Sequence, residues 1–389
     1  VHGIVSIFMP AIMGIIADKW IQAQRLLGLC HTVAGGAMIA AGLYGVWAGA
    51  NVEFTTLFSL YTLSVAFFMP TIAISNSVAY NVLEKSNLDP VKEFPPIRIW
   101  GTIGFIASMW FVDFMKADGL SFQMSSMQYV VSGALGILLG LYSFTLPQCP
   151  IIKTNQKSSI VEAMGLKAFA LFKNRNMAIF FIFSMLLGVA LQITNGFANP
   201  FLGDFGNLAE YANSFGVQHS NVLISLSQVS ETLCILLIPF FLRNFGIKKV
   251  MLIAMFAWVL RFGFFAVGNP GGGIWLFVLS MIVYGVAFDF FNISGSLFVN
   301  ENTDKSIRSS AQGLFMLMTN GIGAALGTLG AQWVVNILVN EKKVPGVDGV
   351  IDWSAVMGGW CDAWYIFAGY ALIVAVLFAI LFRYKHVKA

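Results

Sequence analysis

A carboxylate lies inside one of the most apolar stretches of the chain, ISLSQVSETLCILLIPFF, which covers residues 224–241. Glu231 stands near the middle of this stretch, and Gln228 precedes it by three residues. An earlier apolar stretch carries Gln192 and Asn195 at the same spacing. Residues three apart share one face of a helix, so each pair can point into one space. The four groups can hydrogen-bond a polar, uncharged ligand, and Glu231 can in addition carry a proton.

A later apolar stretch, VYGVAFDFFNISGS, adds aromatic rings and a second carboxylate. Tyr284 and Phe288 share a helix face, which Asn292 continues, and Asp289 sits about 100° round the helix from Phe288. Aromatic rings stack on flat ligands, and amides and carboxylates bind hydroxyl groups. The combination therefore suits a sugar or a nucleoside, and Asp289 is a second candidate for carrying the proton.

The first half of the chain offers a cationic group in IRIWGTIGF, where Arg98 is followed by Thr102 and Phe105. An arginine inside a membrane span needs a partner or a water-filled cavity. Asp289 is one candidate partner for Arg98. A purely structural role also stays open for Glu231, as the permanent partner of Arg261 on the next span.

The elements that position these residues are predicted to be membrane-spanning helices. The 389-residue chain is 58% hydrophobic and only 10% charged, whereas soluble domains carry about 25% charged residues. Apolar runs of about 18 residues or more recur, and each is long enough to cross the hydrocarbon core. We therefore predict an all-α membrane protein. The predicted spans cover residues 1–17, 26–49, 54–81, 95–116, 125–146, 176–200, 218–242, 247–268, 273–299, 307–337 and 360–383.

The distribution of Lys and Arg predicts the orientation, because cytoplasmic loops carry an excess of both. Only Lys116, Lys342 and Lys343 fall in the loops on one side, which is therefore predicted to be extracellular. The C-terminus is predicted to be cytoplasmic. The opposite loops hold Lys19, Arg25, Lys85, Lys92, Lys153, Lys157, Lys167, Lys173, Arg175, Arg243, Lys248, Lys249, Lys305, Arg308, Arg383, Lys385 and Lys388.

The spans divide into two halves that repeat weakly. Residues 1–146 hold five spans, residues 147–175 form a cytoplasmic loop with a predicted amphipathic helix, and residues 176–389 hold six spans. Two parallel repeats of six helices, 6+6, would be complete with one more span before residue 1, so we expect the first helix to be missing from this chain. The turn GIIADK at residues 14–19 resembles the signature of the major facilitator superfamily, which has this architecture.

Several function classes are disfavoured. Cys30, Cys149, Cys234 and Cys361 show no metal-binding or disulfide spacing, so we expect no metal site. The spans contain no Ser/His/Asp constellation and the chain contains no Walker A loop, which argues against an enzyme and against ATP-driven transport. The net charge of +4 follows from the loop charges, so no nucleic-acid partner is expected. A membrane receptor stays as an alternative, although no soluble signalling domain is visible.

One glycine pair is interpreted as packing. Gly323 and Gly327 form a G-x-x-x-G motif, which is typical of closely packed membrane helices.

Longer strings carry a specific resemblance: FPPIRIWGTIGF, SQVSETL, LSMIVYGVAFDFFNISGS and SAQGLFMLMTNG. Over essentially the whole chain, the sequence is similar to the bacterial nucleoside:proton symporter family. The resemblance implies an inner-membrane transporter, expected to act as a monomer among membrane lipids, that imports nucleosides with protons and needs no cofactor. A sugar:proton symporter is the alternative. The substrate-binding residues implied by the match are Arg98, Thr102, Phe105, Gln192, Asn195, Gln228, Glu231, Tyr284 and Phe288, with Glu231 and Asp289 as the proton-coupling candidates.

Overall fold

A computed structural model gives the fold of the chain. It describes residues 20–88, 90–117, 119–149, 166–303, 308–346 and 349–384, together with Val5, Met9, Ile12, Met13, Ile16 and Ala17. Two compact units are present, Val1–Leu166 and Lys167–Ala389. The predicted division into 1–146, 147–175 and 176–389 stays a prediction.

The first unit is built from long helices joined by short connections. A two-stranded antiparallel ribbon pairs Lys116–Ala117 (β1) with Leu120–Ser121 (β2). Helices α1 and α4 pack backbone against backbone, because a Cβ on Gly35 would lie 2.6 Å from the Gly133 carbonyl oxygen. The described helices are α1 (Ala23–Ala48), α2 (Phe54–Lys85), α3 (Pro90–Phe114) and α4 (Met127–Ser143), with 3-10 turns at Gly49–Asn51 and Phe122–Met124.

The second unit is larger and carries most of the predicted site. Its described helices are α5 (Arg175–Asp204), α6 (Phe215–Gln218), α7 (Ser220–Val267), α8 (Ile274–Glu301), α9 (Arg308–Met316), α10 (Ala324–Leu338) and α11 (Trp353–Leu381). A π-helical turn, Leu317–Gly323, joins α9 to α10. Short 3-10 helices cover Leu166–Lys173, Phe205–Asn207 and Asn340–Lys342.

The helices confirm the predicted fold class, an all-α membrane protein. Among the described residues, seven helices are long and apolar enough to cross a membrane, and two shorter apolar helices cover 99–114 and 127–143. Helix α7 contains two predicted spans, which separate at Gly246. The backbone of Gly246 has φ 75° and ψ 164°, a conformation that glycine adopts without the strain a Cβ would cause.

Three predicted segments differ from the structure in their bounds or helix type, or lie outside the described residues. Helix α11 begins at Trp353, seven residues before the predicted start at 360, because Asp352 caps it by accepting a hydrogen bond from the Ala355 amide at 3.1 Å. Within the predicted amphipathic helix, residues Leu166–Lys173 form a 3-10 helix, and the preceding residues lie outside the described part. Most of the first predicted span, 1–17, also lies outside it.

An aromatic cluster holds the second unit together. The rings of Phe201 on α5 and Trp364 on α11 lie 5.4 Å apart, and Phe265 on α7 lies 4.7 Å from Trp364. Phe277 on α8 joins the cluster at 5.7 Å from Phe201. All four side chains are buried. The cluster therefore fixes the relative positions of α5, α7, α8 and α11.

Glycines bring α5 against the π-helical turn and α10. A Cβ on Gly188 would lie 2.1 Å from the Thr319 carbonyl oxygen, and one on Gly323 would lie 2.5 Å from the Met185 carbonyl oxygen. A Cβ on Gly327 would meet the Val189 backbone at 2.9 Å. These distances confirm that the Gly323–Gly327 motif is a close helix-packing contact.

Candidate functional site

A buried arginine ties three helices of the second unit together. Arg261 on α7 donates from Nε to Thr194 Oγ1 on α5 at 3.1 Å, and from Nη1 to the Ser280 carbonyl on α8 at 2.6 Å. Its guanidinium carbon also lies 4.6 Å from the Tyr284 ring centroid and 5.2 Å from that of Phe265. Only 1% of the Arg261 residue surface is exposed. Neutral acceptors and aromatic faces therefore contact this charge within the span.

An aromatic wall runs along α8 beside Arg261. The rings of Tyr284 and Phe288 are stacked, with centroids 5.9 Å apart and planes 12° apart. Trp258 on α7 meets Tyr284 edge to face at 5.9 Å. Tyr284 is buried and Phe288 is half-buried, so Phe288 offers part of its ring to a ligand while Tyr284 and Trp258 support it from behind.

Two carboxylate residues lie beside this wall. The backbone of Glu231 lies against Gly285, which follows Tyr284, and Asp289 directly follows Phe288 on α8. Glu231 is half-buried on α7, and Asp289 on α8 is 4% exposed. The structure thus places Glu231, Tyr284, Phe288 and Asp289 in one region of the unit.

The approach of α7 to α8 has a local cause. A Cβ on Gly285 would lie 2.6 Å from the Ser230 carbonyl and 2.7 Å from the Glu231 nitrogen. The Ser230 hydroxyl also donates to the Ile282 carbonyl. Glycine on α8 therefore lets the backbone of Glu231 contact the turn of α8 between Tyr284 and Phe288.

A small cavity adjoins Phe288 on the side of the π-helical turn. Its volume is about 30 Å³, and its lining includes Trp258, Phe288, Asn292, Thr319 and Asn320. This is room for about one water molecule. The amides of Asn292 and Asn320 thus border the aromatic wall, and the sequence pattern pointed to Asn292 only.

The predicted residues of α5 occupy a different place. Gln192 is half-buried and lines a second, larger cavity of about 370 Å³, which also contains Gln332 of α10. Asn195 is exposed on the surface of the unit. Between them, Thr194 points inward to Arg261. The expectation that Gln192 and Asn195 share a cavity with Gln228 and Glu231 stays a prediction.

Sequence reasoning overlooked a polar stripe on α10 and the turn that follows it. The signal was present, since Thr328, Gln332, Asn336 and Asn340 recur every four residues and so lie on one helix face.

The remaining predicted residues lie as follows. Gln228 is half-buried on α7, one turn before Glu231. In the first unit, Thr102 is half-buried on α3 and Phe105 is 53% exposed. The side chain of Arg98 falls outside the described part of the chain.

Apolar spans that contain an arginine, two carboxylates and an aromatic wall are typical of a polytopic membrane transporter, because charged groups inside a membrane mark substrate and ion pathways. A family model described as Nucleoside H+ symporter matches residues 1–387. The chain therefore belongs to the nucleoside H+ symporter family, whose members are transporters and not enzymes.

Individual relatives agree with this assignment. The chain is 49% identical over 385 residues to xanthosine permease of Escherichia coli K12, covering 99% of this chain and 86% of the permease. It is 47% identical over 388 residues to nucleoside permease NupG of the same organism, covering 99% of this chain and 86% of NupG.

Solved structures share the fold. A crystal structure of a NupG variant with one aspartate replaced by alanine has a TM-score of 0.86 and 44% identity, covering 98% of this chain and 89% of that one. A bacterial homologue of the human lysosomal transporter Spinster, in an inward-facing conformation, has a TM-score of 0.58 at 14% identity and covers 98% and 94%. The second likeness shows the fold alone.

Proposed function

We propose that this protein imports nucleosides together with protons across a bacterial inner membrane by alternating access. The observation that carries the proposal is the stacked Tyr284–Phe288 wall inside apolar spans, with Glu231 packed against Gly285 and Asp289 directly after Phe288. The family and the two permeases described above support nucleosides as the substrate class. The charges of the loops support a cytoplasmic C-terminus.

The aromatic wall explains how the base is bound. A nucleobase is a flat ring system, and offset stacking on an aromatic side chain contributes about 0.5–1.5 kcal/mol beyond the burial of its surface. Phe288 is the half-buried member of the pair. It provides the stacking face, and the buried Tyr284 holds Phe288 in place.

Polar groups then bind the sugar and the edges of the base. Gln228 and Glu231 share a face of α7, and their oxygens accept hydrogen bonds from ribose hydroxyls. On α5 the resemblance implies Gln192, which lines the larger cavity, and Asn195, which is exposed. For the first unit, the resemblance implies Arg98, Thr102 and Phe105 as substrate-binding residues, and this stays a prediction.

The carboxylates link binding to proton movement. An apolar span disfavours the ionised form of a carboxylate, so Glu231 and Asp289 can each take up a proton on one side of the membrane and release it on the other. A ligand hydroxyl that hydrogen-bonds Glu231 couples the two events. The membrane potential contributes about 2.3 kcal/mol per charge per 100 mV, which is enough to drive accumulation against a gradient.

Replacing Glu231 by glutamine tests the proton-coupling role. Glu231→Gln keeps the shape and the hydrogen bonding of the side chain but cannot carry a proton. In proteoliposomes with an imposed pH gradient, we expect uphill accumulation of labelled uridine to be lost while exchange of uridine between the two sides continues. Glu84→Gln, at an exposed helix end of the first unit, is the matched control and keeps accumulation.

Two outcomes oppose the proposal. If Glu231→Gln accumulates uridine with unchanged affinity and an unchanged response to the pH gradient, Glu231 is a structural partner within the helix bundle. If free ribose competes with labelled uridine as strongly as unlabelled uridine does, the aromatic wall does not contribute to binding of the nucleobase. A sugar:proton symporter is then the better assignment.

A further inference from the structure

The polar stripe of α10 and the following 3-10 turn is the feature that the proposed central site does not use. Gln332 donates from Nε2 to Asn336 Oδ1 at 2.7 Å, and Asn340 donates from Nδ2 to the same oxygen at 2.7 Å. Thr328 extends the stripe one turn toward the middle of the span. All four residues are exposed on the surface of the unit.

Contact between this polar stripe and lipid would be unfavourable. Amide groups exposed to hydrocarbon would lose their hydrogen bonds to water, so polar faces of membrane helices turn toward protein or water-filled space. The neighbouring residues Leu329 and Trp333 are 70% and 66% exposed and apolar, as expected for a lipid-facing surface. One face of α10 is therefore built for lipid and the adjacent face for a polar environment.

A cavity lies beside the polar face. Its volume is about 370 Å³, and it is lined from α10 by Thr328 and Gln332, from the following turn by Asn340, and from α5 by Gln192. This volume falls in the range of about 300–1,000 Å³ in which small-molecule sites occur. Gln192 is also one of the predicted substrate residues, so the cavity contains one member of that predicted set.

An ion pair stands at one end of the cavity. This end lies on the side of the membrane whose loops carry few Lys and Arg residues, which is the predicted extracellular side. Lys343 Nζ lies 2.6 Å from Asp204 Oδ2, and Trp360 donates from Nε1 to that oxygen at 2.7 Å. The Lys343 ammonium also lies 5.9 Å from the Trp353 ring centroid. The one cation in the lining is thus neutralised by Asp204, so the cavity suits a neutral polar ligand better than a phosphorylated one.

We propose that this cavity is a second nucleoside-binding site, a vestibule on the extracellular side that holds the substrate before it reaches the central site. The inference rests on the proposed function for its ligand class. Amides offer both donors and acceptors, so Gln332 and Asn340 can bind ribose hydroxyls and base edges. The paired Lys343 and Asp204 close the outer end.

Cysteine labelling tests the vestibule in the full chain. Gln332→Cys is made in a Cys361→Ser background, because Cys361 is half-buried next to Trp360. Right-side-out membrane vesicles are treated with a charged, membrane-impermeant thiosulfonate reagent. We expect Gln332→Cys to be modified, and uridine at about ten times its dissociation constant to slow the modification about tenfold. Uridine monophosphate should give little protection.

Trp333→Cys is the matched control, since Trp333 is the adjacent residue on the same helix but lies on the apolar face that we expect to contact lipid. It should react slowly, because the thiolate that attacks the thiosulfonate and displaces its sulfinate forms readily only in water, and uridine should not change its rate. A Gln332→Cys that reacts no faster than Trp333→Cys, or that reacts without protection by uridine, would overturn the proposal.

A background that weakens the central site separates occupancy from conformational change. In a chain that also carries Phe288→Ala, the uridine concentration that gives half-maximal protection of Gln332→Cys should stay unchanged. A rise of that concentration by about tenfold, the loss expected at the central site, means that Gln332→Cys senses a movement triggered by the central site, and the vestibule is then refuted. Uridine uptake by the otherwise unchanged Cys361→Ser chain is measured in parallel. Failure of that uptake opposes the proposed function, whereas the labelling reports on the cavity by itself.

Discussion

The contact between α5 and the π-helical turn can be tested by adding a single methyl group. In Gly188→Ala the new Cβ would lie 2.1 Å from the Thr319 carbonyl oxygen and 2.8 Å from its carbon. Ordinary contact begins near 3.4 Å, so the two backbones would have to separate by roughly 1.3 Å. Since both atoms of Thr319 belong to the backbone, no side-chain rotation can relieve the overlap.

The expected magnitude follows from this overlap. Overpacking a well-packed interior is destabilising by about 1–3 kcal/mol, and each kcal/mol lowers the melting temperature of a unit of this size by about 2–4 °C. The separation also displaces Asn320 and Thr319, which border the cavity beside Phe288. We therefore expect both a lower melting temperature in detergent and weaker nucleoside transport.

Gly203→Ala is the control, because it lies on the same helix and a Cβ there meets nothing within 4 Å. Its melting temperature should stay equal or rise slightly, since alanine favours the helix over glycine. Gly323→Ala approaches the contact from the other side, 2.5 Å from the Met185 carbonyl, and should resemble Gly188→Ala. If Gly188→Ala melts and transports like Gly203→Ala, the two backbones are not in contact and the packing argument is wrong.

Three further outcomes are expected. Phe288→Ala should weaken uridine binding by roughly tenfold, the upper part of the stacking contribution of about 0.5–1.5 kcal/mol, while Phe288→Tyr keeps it; equal affinities in a competition assay would count against stacking. Arg261→Lys keeps the charge but cannot donate to both Thr194 and the Ser280 carbonyl from one planar group, so the protein should lose about 1–3 kcal/mol of stability; an unchanged melting curve contradicts this. Burial raises the pKa of the Cys149 thiol, so its thiolate is scarce at neutral pH and alkylation should accelerate only above the usual thiol range, near pH 8.5; fast alkylation at pH 7 would refute this burial.

Much of the fold was predictable because the signals for membrane spans are local. An apolar run can be compared directly with the length needed to cross the hydrocarbon core. The predicted spans after the first one overlap the described helices of both units. The same reasoning singled out Glu231 and Asp289, because a carboxylate within such a run is conspicuous by itself. Family membership was equally visible, since it depends on the strings of residues and not on their positions in space.

Contacts between helices were not predictable in this way. Periodicity placed Gln192 and Asn195 on one face of α5 but could not show that Gln192 lines a cavity with Gln332. Two hydrogen-bond partners of Arg261 come from α5 and α8, whereas the sequence offered Glu231 only as an alternative, structural partner. The π-helical turn at Leu317–Gly323 could not be predicted from the apolar pattern of this segment.

The sequence by itself determined that this is a multi-span helical transporter, which ionisable residues enter the membrane, and which family it belongs to. Those properties depend on residue type and on spacing along one helix. Only the tertiary structure decided that Tyr284 and Phe288 stack beside Arg261, and that the stripe ending at Asn340 borders a cavity. The reason is physical: helix faces are set by local periodicity, whereas the neighbour of each face is chosen by packing between distant segments, such as the glycine contact at Gly188.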